Sequence, residues 1–137
     1  MSRIILDTNI LVYGLDAQSG YYASAVAILT NPAYELSVPT KVISEFFAVC
    51  SKLNVGIADS MKFYQEVQKN TTTLYPTPAS LGHFEQLIQK YQPRGNRVFD
   101  LEIVSVAMAN DIPQIATANL NDFQGMPEIG VLALVAK

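Results

Sequence analysis

Cysteine and histidine are almost missing from this chain: Cys50 and His83 are the only examples among its 137 residues. A lone cysteine excludes an intramolecular disulfide framework and fits a reducing cytoplasm. One cysteine and one histidine are also too few for a structural zinc site. Cys50 falls on an apolar helical stretch and reads as a small buried hydrophobe rather than a nucleophile; His83 reads as a helix-surface residue. Long apolar runs are absent too. None approaches the roughly 20 residues needed to span a bilayer, so no membrane contact is expected. Asp7 and Asn9 break the first apolar stretch, which argues against a signal peptide. No glycine-rich phosphate loop occurs, so nucleotide binding of that kind finds no support. With no internal repeat, low-complexity tract or linker, residues 1–137 are read as a single domain. Positive charge is short: 9 Lys and Arg face 12 Asp and Glu, a net −3. That argues against sequence-blind binding of nucleic acid through bulk charge. It leaves open a nucleic-acid substrate whose phosphates meet an acidic cluster through bound cations.

What the chain does have is core. Half of its residues are hydrophobic and 15% are charged, the balance of a compact globular protein. Apolar runs at residues 3–6, 36–38, 73–75, 114–117 and 131–134 read as short strands. Helical patterns lie between them: 23–29, stopped by Asn31-Pro32; 40–53, with a broad stripe through Val42, Phe46 and Cys50; 59–69; and one from Thr77-Pro78, a cap followed by proline. The last runs from Phe99 to Asn110 and is apolar almost all round. Strands alternating with helices predict an α/β fold, a three-layer α/β/α sandwich with a mainly parallel five-stranded sheet.

The chemistry lies in the placement of the acids. Ile4-Ile5-Leu6 reads as a strand buried on both faces, and Asp7 closes it at the edge where parallel sheets present their ligands. Asp7, Thr8 and Asn9 are equally good caps for a helix starting near Ile10. Glu45 stands on a helix between core-type neighbours. Asp100 falls in the first turn of the apolar fifth helix, where the macrodipole favours an acid in any case. Asp122 follows the fourth strand. Strand ends and following helix starts share one edge, so all four can meet in one crevice. Asp16, Asp59, Glu66, Glu85, Glu102, Asp111 and Glu128 have polar settings and read as surface. If the four converge, repulsion of about 4 kcal/mol for each pair ~4 Å apart demands protonation or divalent cations. An all-oxygen donor set selects Mg²⁺ or Mn²⁺, and such a site suits in-line phosphodiester hydrolysis. Neutralising Asp7 or Asp100 is then expected to abolish catalysis and to leave thermal stability equal or higher. Arg94 and Arg97, in a turn around Gly95-Asn96, are the one gathering of positive charge.

The stretches Ile5-Leu6-Asp7-Thr8-Asn9, Pro39 through Glu45-Phe46, Arg97-Val98-Phe99-Asp100 and Ile115-Ala116-Thr117-Ala118-Asn119 with Asp122-Phe123 together resemble a PIN-domain ribonuclease. The resemblance is strongest to the VapC-type toxins of prokaryotic toxin–antitoxin pairs. It implies strand order 3-2-1-4-5, a metal held by Asp7, Glu45 and Asp100, and RNA cleavage with Mg²⁺ or Mn²⁺. It also implies a homodimer and silencing by a cognate antitoxin protein. Many such domains carry an acid where this chain has Asn119. The fourth carboxylate is therefore expected to be Asp122, as an outer ligand, with Asn119 orienting a water through its amide. Thr8, Asn9 and Thr117 take supporting roles around Asp7, and Arg94 and Arg97 are expected to hold RNA phosphates. The alternative is a degenerate PIN module that binds RNA or protein without cutting. A phosphotransferase using a strand-end Asp nucleophile is disfavoured, because Asn9 stands where such folds want a second Asp.

Overall fold

The computed structural model describes residues 1–136. Five parallel strands form one sheet: β1 (Ser2–Leu6), β2 (Tyr34–Pro39), β3 (Thr72–Leu74), β4 (Gln114–Thr117) and β5 (Gly130–Ala133), in the order β3-β2-β1-β4-β5. Ile4 pairs with Leu36 on one side of β1, and Ile5 with Ile115 on the other. A strand with neighbours on both sides and helices over both faces must be apolar throughout. Ile4, Ile5 and Leu6 are accordingly almost fully buried.

Helices α1 (Thr8–Leu15) and α2 (Tyr22–Thr30) connect β1 to β2, and α3 (Thr40–Lys52) and α4 (Ile57–Lys69) connect β2 to β3. The chain then crosses the sheet through α5 (Pro78–Tyr91) and α6 (Arg97–Ala109) to β4, and α7 (Leu120–Phe123) leads to β5. Parallel connections are right-handed, so α1–α4 cover one face and α5–α7 the other, giving three layers. Progression reverses between β1 and β4, and the crevice at their carboxyl ends is the natural ligand position of such a sheet. α1 and α2 approach closely at Gly14, where a Cβ would stand 2.7 Å from Leu29 Cδ1. No helix among the described residues is long and apolar enough to cross a membrane.

The strands fall within two residues of the positions expected from the sequence. The helices differ in four places, α4 starting at Ile57 rather than at 59. α1 starts at Thr8 directly after Asp7, whose carboxylate accepts from the Thr8 N–H. α6 starts at Arg97 rather than Phe99, so Arg97 is helical. α7 has only four residues, too few to show a period, and is anchored by the fully buried Phe123. The cap at Thr77 is a full capping box with Ser80. Cys50 is buried on α3 as expected.

Candidate active site

Asp7 begins the site because β1 ends there. Its N–H continues the ladder by donating to the Ala116 carbonyl at 3.0 Å, while its side chain turns into a ring of donors. Oδ1 accepts from the Thr8 N–H at 2.7 Å. Oδ2 accepts from Thr117 Oγ1 at 2.8 Å and from Asn9 Nδ2 at 3.2 Å. Thr117, at the end of β4, is fully buried and accepts in turn from the Asn119 N–H at 2.9 Å. Asn9 Oδ1 accepts from the Ala118 N–H at 2.9 Å. Thr117 and Asn9 thus lash the ends of β1 and β4 together around one carboxylate. Asp7 is 6% exposed. Burial raises its carboxyl above the ordinary range; the bonds from Thr117 and Thr8 oppose the rise, and the charge of Glu45 adds to it.

A cleft of about 270 Å³ opens beside it, lined by Asp7, Glu45 and Asp100 with Thr8, Asn9 and Asn119 among its walls. Glu45 reaches it from the second turn of α3, where Oε2 accepts from Thr8 Oγ1 at 3.1 Å and Oε1 lies 2.7 Å from Lys41 Nζ. Asp100 enters from the first turn of α6. Burial first, then the charges of Asp122 and Asp7, push its carboxyl from 3.8 up to about 7, against the pull of Arg97. Three acids separated by 38 and 55 positions in the sequence therefore share one cleft (45 − 7 and 100 − 45).

Asp122 lines an adjoining concavity with Asn119. It is close enough for its charge to act on Asp100 more strongly than that of Asp7. Its backbone carbonyl accepts a bond from Arg97 Nη1, so one guanidinium nitrogen of Arg97 is committed to holding α7. Arg94 stands exposed on the turn before α6. Asn119 is the exposed N-cap residue of α7, and its side chain makes no capping bond.

Two residues depart from the sequence reading. Lys41, to which the sequence assigned no role, pairs with Glu45 of the cleft. A cation in the first turn of a helix that also carries a core-flanked acid was the available signal. Glu128, read as surface, is a clasp whose side chain is 13% exposed. It accepts from Lys90 Nζ at 2.6 Å and from the Tyr91 hydroxyl. Burial raises its carboxyl, but those two bonds prevail and hold it below its usual range. The clasp ties the end of α5 to the segment after α7. Local spacing could not reveal it, because its partners lie 37 and 38 positions away.

The donors facing the cleft are carboxylate, carboxamide and hydroxyl oxygens, a set that fits a hard divalent cation. Among the described residues, no three of His, Cys, Asp or Glu stand close enough to hold an ion without side-chain adjustment. Both oxygens of Asp7 and both of Glu45 are engaged by neighbouring groups.

The backbone is similar to several solved structures. A toxin–antitoxin complex from Klebsiella pneumoniae matches with TM-score 0.74 and 16% identity, over 98% of this chain and 99% of that one. VapBC2 from Rickettsia felis, bound to a promoter DNA fragment, matches with TM-score 0.72 and 19% identity over 97% and 99%. The Sarcin-Ricin loop cleaving toxin VapC20 of Mycobacterium tuberculosis matches with TM-score 0.66 and 12% identity over 82% and 86%. At these identities the likeness establishes the fold. By sequence, no curated protein matches. The PIN-domain family model, however, matches residues 4–128, and the chain belongs to the PIN-domain family.

Proposed function

We propose that the protein is a metal-dependent endoribonuclease that hydrolyses RNA phosphodiester bonds, and that it is the toxin of a toxin–antitoxin pair. The observation that carries this reading is the convergence of Asp7, Glu45 and Asp100 in one cleft, with the Asp122 charge close by. Asp7, Glu45 and Asp100 would hold a Mg²⁺ or Mn²⁺ ion, with Asp122 as an outer carboxylate. Bound there, the ion would supply an activated water at neutral pH and offset charge on the phosphoryl oxygens. The protein's own part is orientation. Thr117, Thr8 and Asn9 fix the carboxylate of Asp7, and the Thr8 hydroxyl steers Glu45. Asn119 presents its amide at the mouth. Arg94, exposed before α6, would meet a phosphate flanking the cut, while Arg97 holds α7 in position.

Incubating the purified protein with RNA tests this. Cleavage is expected with Mn²⁺ or Mg²⁺ and none with EDTA; inertness with both ions, or cleavage undiminished by EDTA, would overturn it. A second expected result concerns the fourth position. Asp122→Asn removes the charge that acts most strongly on Asp100, whereas Asn119→Ala removes only an exposed amide. Residual cleavage rates should therefore be lower for Asp122→Asn, and the reverse order would make Asn119 the more important group. A second reading, a PIN module that binds RNA or protein without cutting, is favoured by the pairing of Glu45 with Lys41 and by the absence, among the described residues, of three acids grouped to hold an ion. The same incubation separates the two.

The antitoxin part of the proposal is supported by a large apolar groove. Val12, Leu15, Leu53, Val55 and Phe63 line a concavity of about 740 Å³ between α1, the end of α3 and α4. Asp16, Asp59 and Glu66 outnumber Lys62 on its rim, so it suits an apolar peptide segment with basic flanks. Val12 also lines the acidic cleft, so a segment lying in the groove would lead towards the carboxylates. Homodimerisation belongs to the same reading on the strength of the family resemblance.

A further inference from the structure

Lys41 stands where helix electrostatics disfavour it. It is the second residue of α3, whose first turn contains no acid, and a cation at a helix N-terminus opposes the macrodipole. Its pair with Glu45 runs lysine first, the poorer order for residues four apart. Yet its ammonium is held twice. Nζ lies 2.7 Å from Glu45 Oε1 and 4.0 Å from the centroid of the Phe99 ring. Phe99 belongs to α6, directly precedes Asp100, and is 43% exposed. The ammonium therefore spans the two walls of the cleft, α3 and α6, at its rim. A local pair of this kind stabilises a helix only weakly, so the helix itself gains little from this arrangement.

Each oxygen of Glu45 has one partner, Oε1 the Lys41 ammonium and Oε2 the Thr8 hydroxyl. A divalent cation drawn to Glu45 beside Asp7 and Asp100 would repel the Lys41 ammonium that already sits on Oε1. We propose that Lys41 changes partner when the site fills: it holds Glu45 until a divalent cation takes that carboxylate, then meets a phosphate oxygen of the RNA beside the cut. The inference rests on the metal-dependent reading above and deepens it by naming a phosphate contact. Phe99 keeps the ammonium at the rim after Glu45 turns away, because cation–π attraction does not need the carboxylate. The phosphate then restores an anionic partner to Lys41.

The test is the Lys41→Met variant, which keeps the aliphatic stem and removes the charge, with Lys41→Gln as a second variant. Mn²⁺ is titrated calorimetrically. Binding of a short labelled single-stranded RNA is followed by anisotropy across a salt series, with Ca²⁺ replacing Mn²⁺. Mn²⁺ binding should tighten about fivefold, the upper end for release of a partly exposed pair. RNA binding should weaken, and the slope of its logarithmic salt dependence should fall by about 0.7, the signature of one lost phosphate contact on a single strand. A lysine without a phosphate contact would tighten Mn²⁺ binding on removal but leave the salt slope unchanged. Mn²⁺ binding unchanged or weakened, or an unchanged salt slope, overturns the proposal while the ribonuclease reading stands. If the wild-type protein binds no Mn²⁺ at all, the metal-dependent reading falls and takes this proposal with it.

Discussion

Asp100→Asn protein is expected to stop cutting RNA and to melt higher than wild type in the same chelator-containing buffer. The loss of activity should be about a thousandfold, the equivalent of the several kcal/mol that a held cation contributes to a phosphoryl transition state. The gain in stability comes from the same residue. Its carboxyl is raised from 3.8 to about 7 by burial and by the charges of Asp122 and Asp7, so above neutrality the folded state carries a charge it disfavours. In a fully desolvated site that rise would correspond to about 4 kcal/mol. The side chain is only half-buried, and solvent screening brings this to about 1–2 kcal/mol.

The sign follows from proton counting. Between pH 3.8 and about 7 the folded protein binds more protons at Asp100 than the unfolded chain does, so stability falls as pH rises through that window. Below 3.8 both states are protonated and the penalty vanishes. Melting curves of the variant and of wild type should therefore converge near about pH 4 and separate progressively up to about pH 8. Equal melting temperatures at the alkaline end would show that Asp100 carries no unrelieved repulsion. Saturating Mn²⁺ should narrow the separation there, because wild type alone retains the full set of ligands.

Asp7→Asn should abolish cleavage to a similar degree and shift stability the other way. From sequence, the two acids read alike, and relief of repulsion is expected to leave either variant at least as stable. For Asp7 the hydrogen bonds oppose that relief. Its two oxygens accept from Thr8 N–H, Thr117 Oγ1 and Asn9 Nδ2, and an amide cannot accept at both ends. Whichever way Asn is turned, its NH₂ group faces at least one of these donors. Relief of the burial penalty offsets part of that loss. A net fall of about 1–2 kcal/mol is expected, the range for a buried donor left without its acceptor. Urea denaturation in EDTA at mildly alkaline pH measures it. A midpoint above wild type would mean that relief of the burial penalty, which already raises the Asp7 carboxyl, exceeds the cost of the donors left unpaired. Two acids lining one cleft, with opposite effects on folding, would separate the carboxylate that the fold is built around from the one it merely tolerates.

The difference between these acids marks how far linear information reached. Ile4-Ile5-Leu6-Asp7 could be read as a central strand ending at the ligand edge, because burial on both faces admits no polar residue before the chain leaves the sheet. Glu45 could be singled out because a charge among Val42, Ile43, Phe46 and Phe47 has no structural reason to be there. α7 could not be read: Leu120–Phe123 is too short for periodicity, and its place depends on Phe123 entering a core made by other elements. The start of α6 was equally hidden, because Asn96 caps it without a side-chain bond. Arg97, read with Arg94 as a turn residue expected to hold RNA phosphates, has a partner on α7, 25 positions away. Lys41 shows the same limit from the electrostatic side, since its pairing with Glu45 is local but its second anchor, Phe99, belongs to another helix.

The layering of strands and helices, the edge of the sheet that carries chemistry, and the oxygen-only character of the site were all written into the linear chain. They follow from period, strand ending and residue type, which are local properties. The assembled fold was needed to tell the acids apart: one buried and bonded, one crowded into holding its proton near neutrality, one tied to a lysine. Those distinctions depend on donors and charges that folding brings in from distant segments.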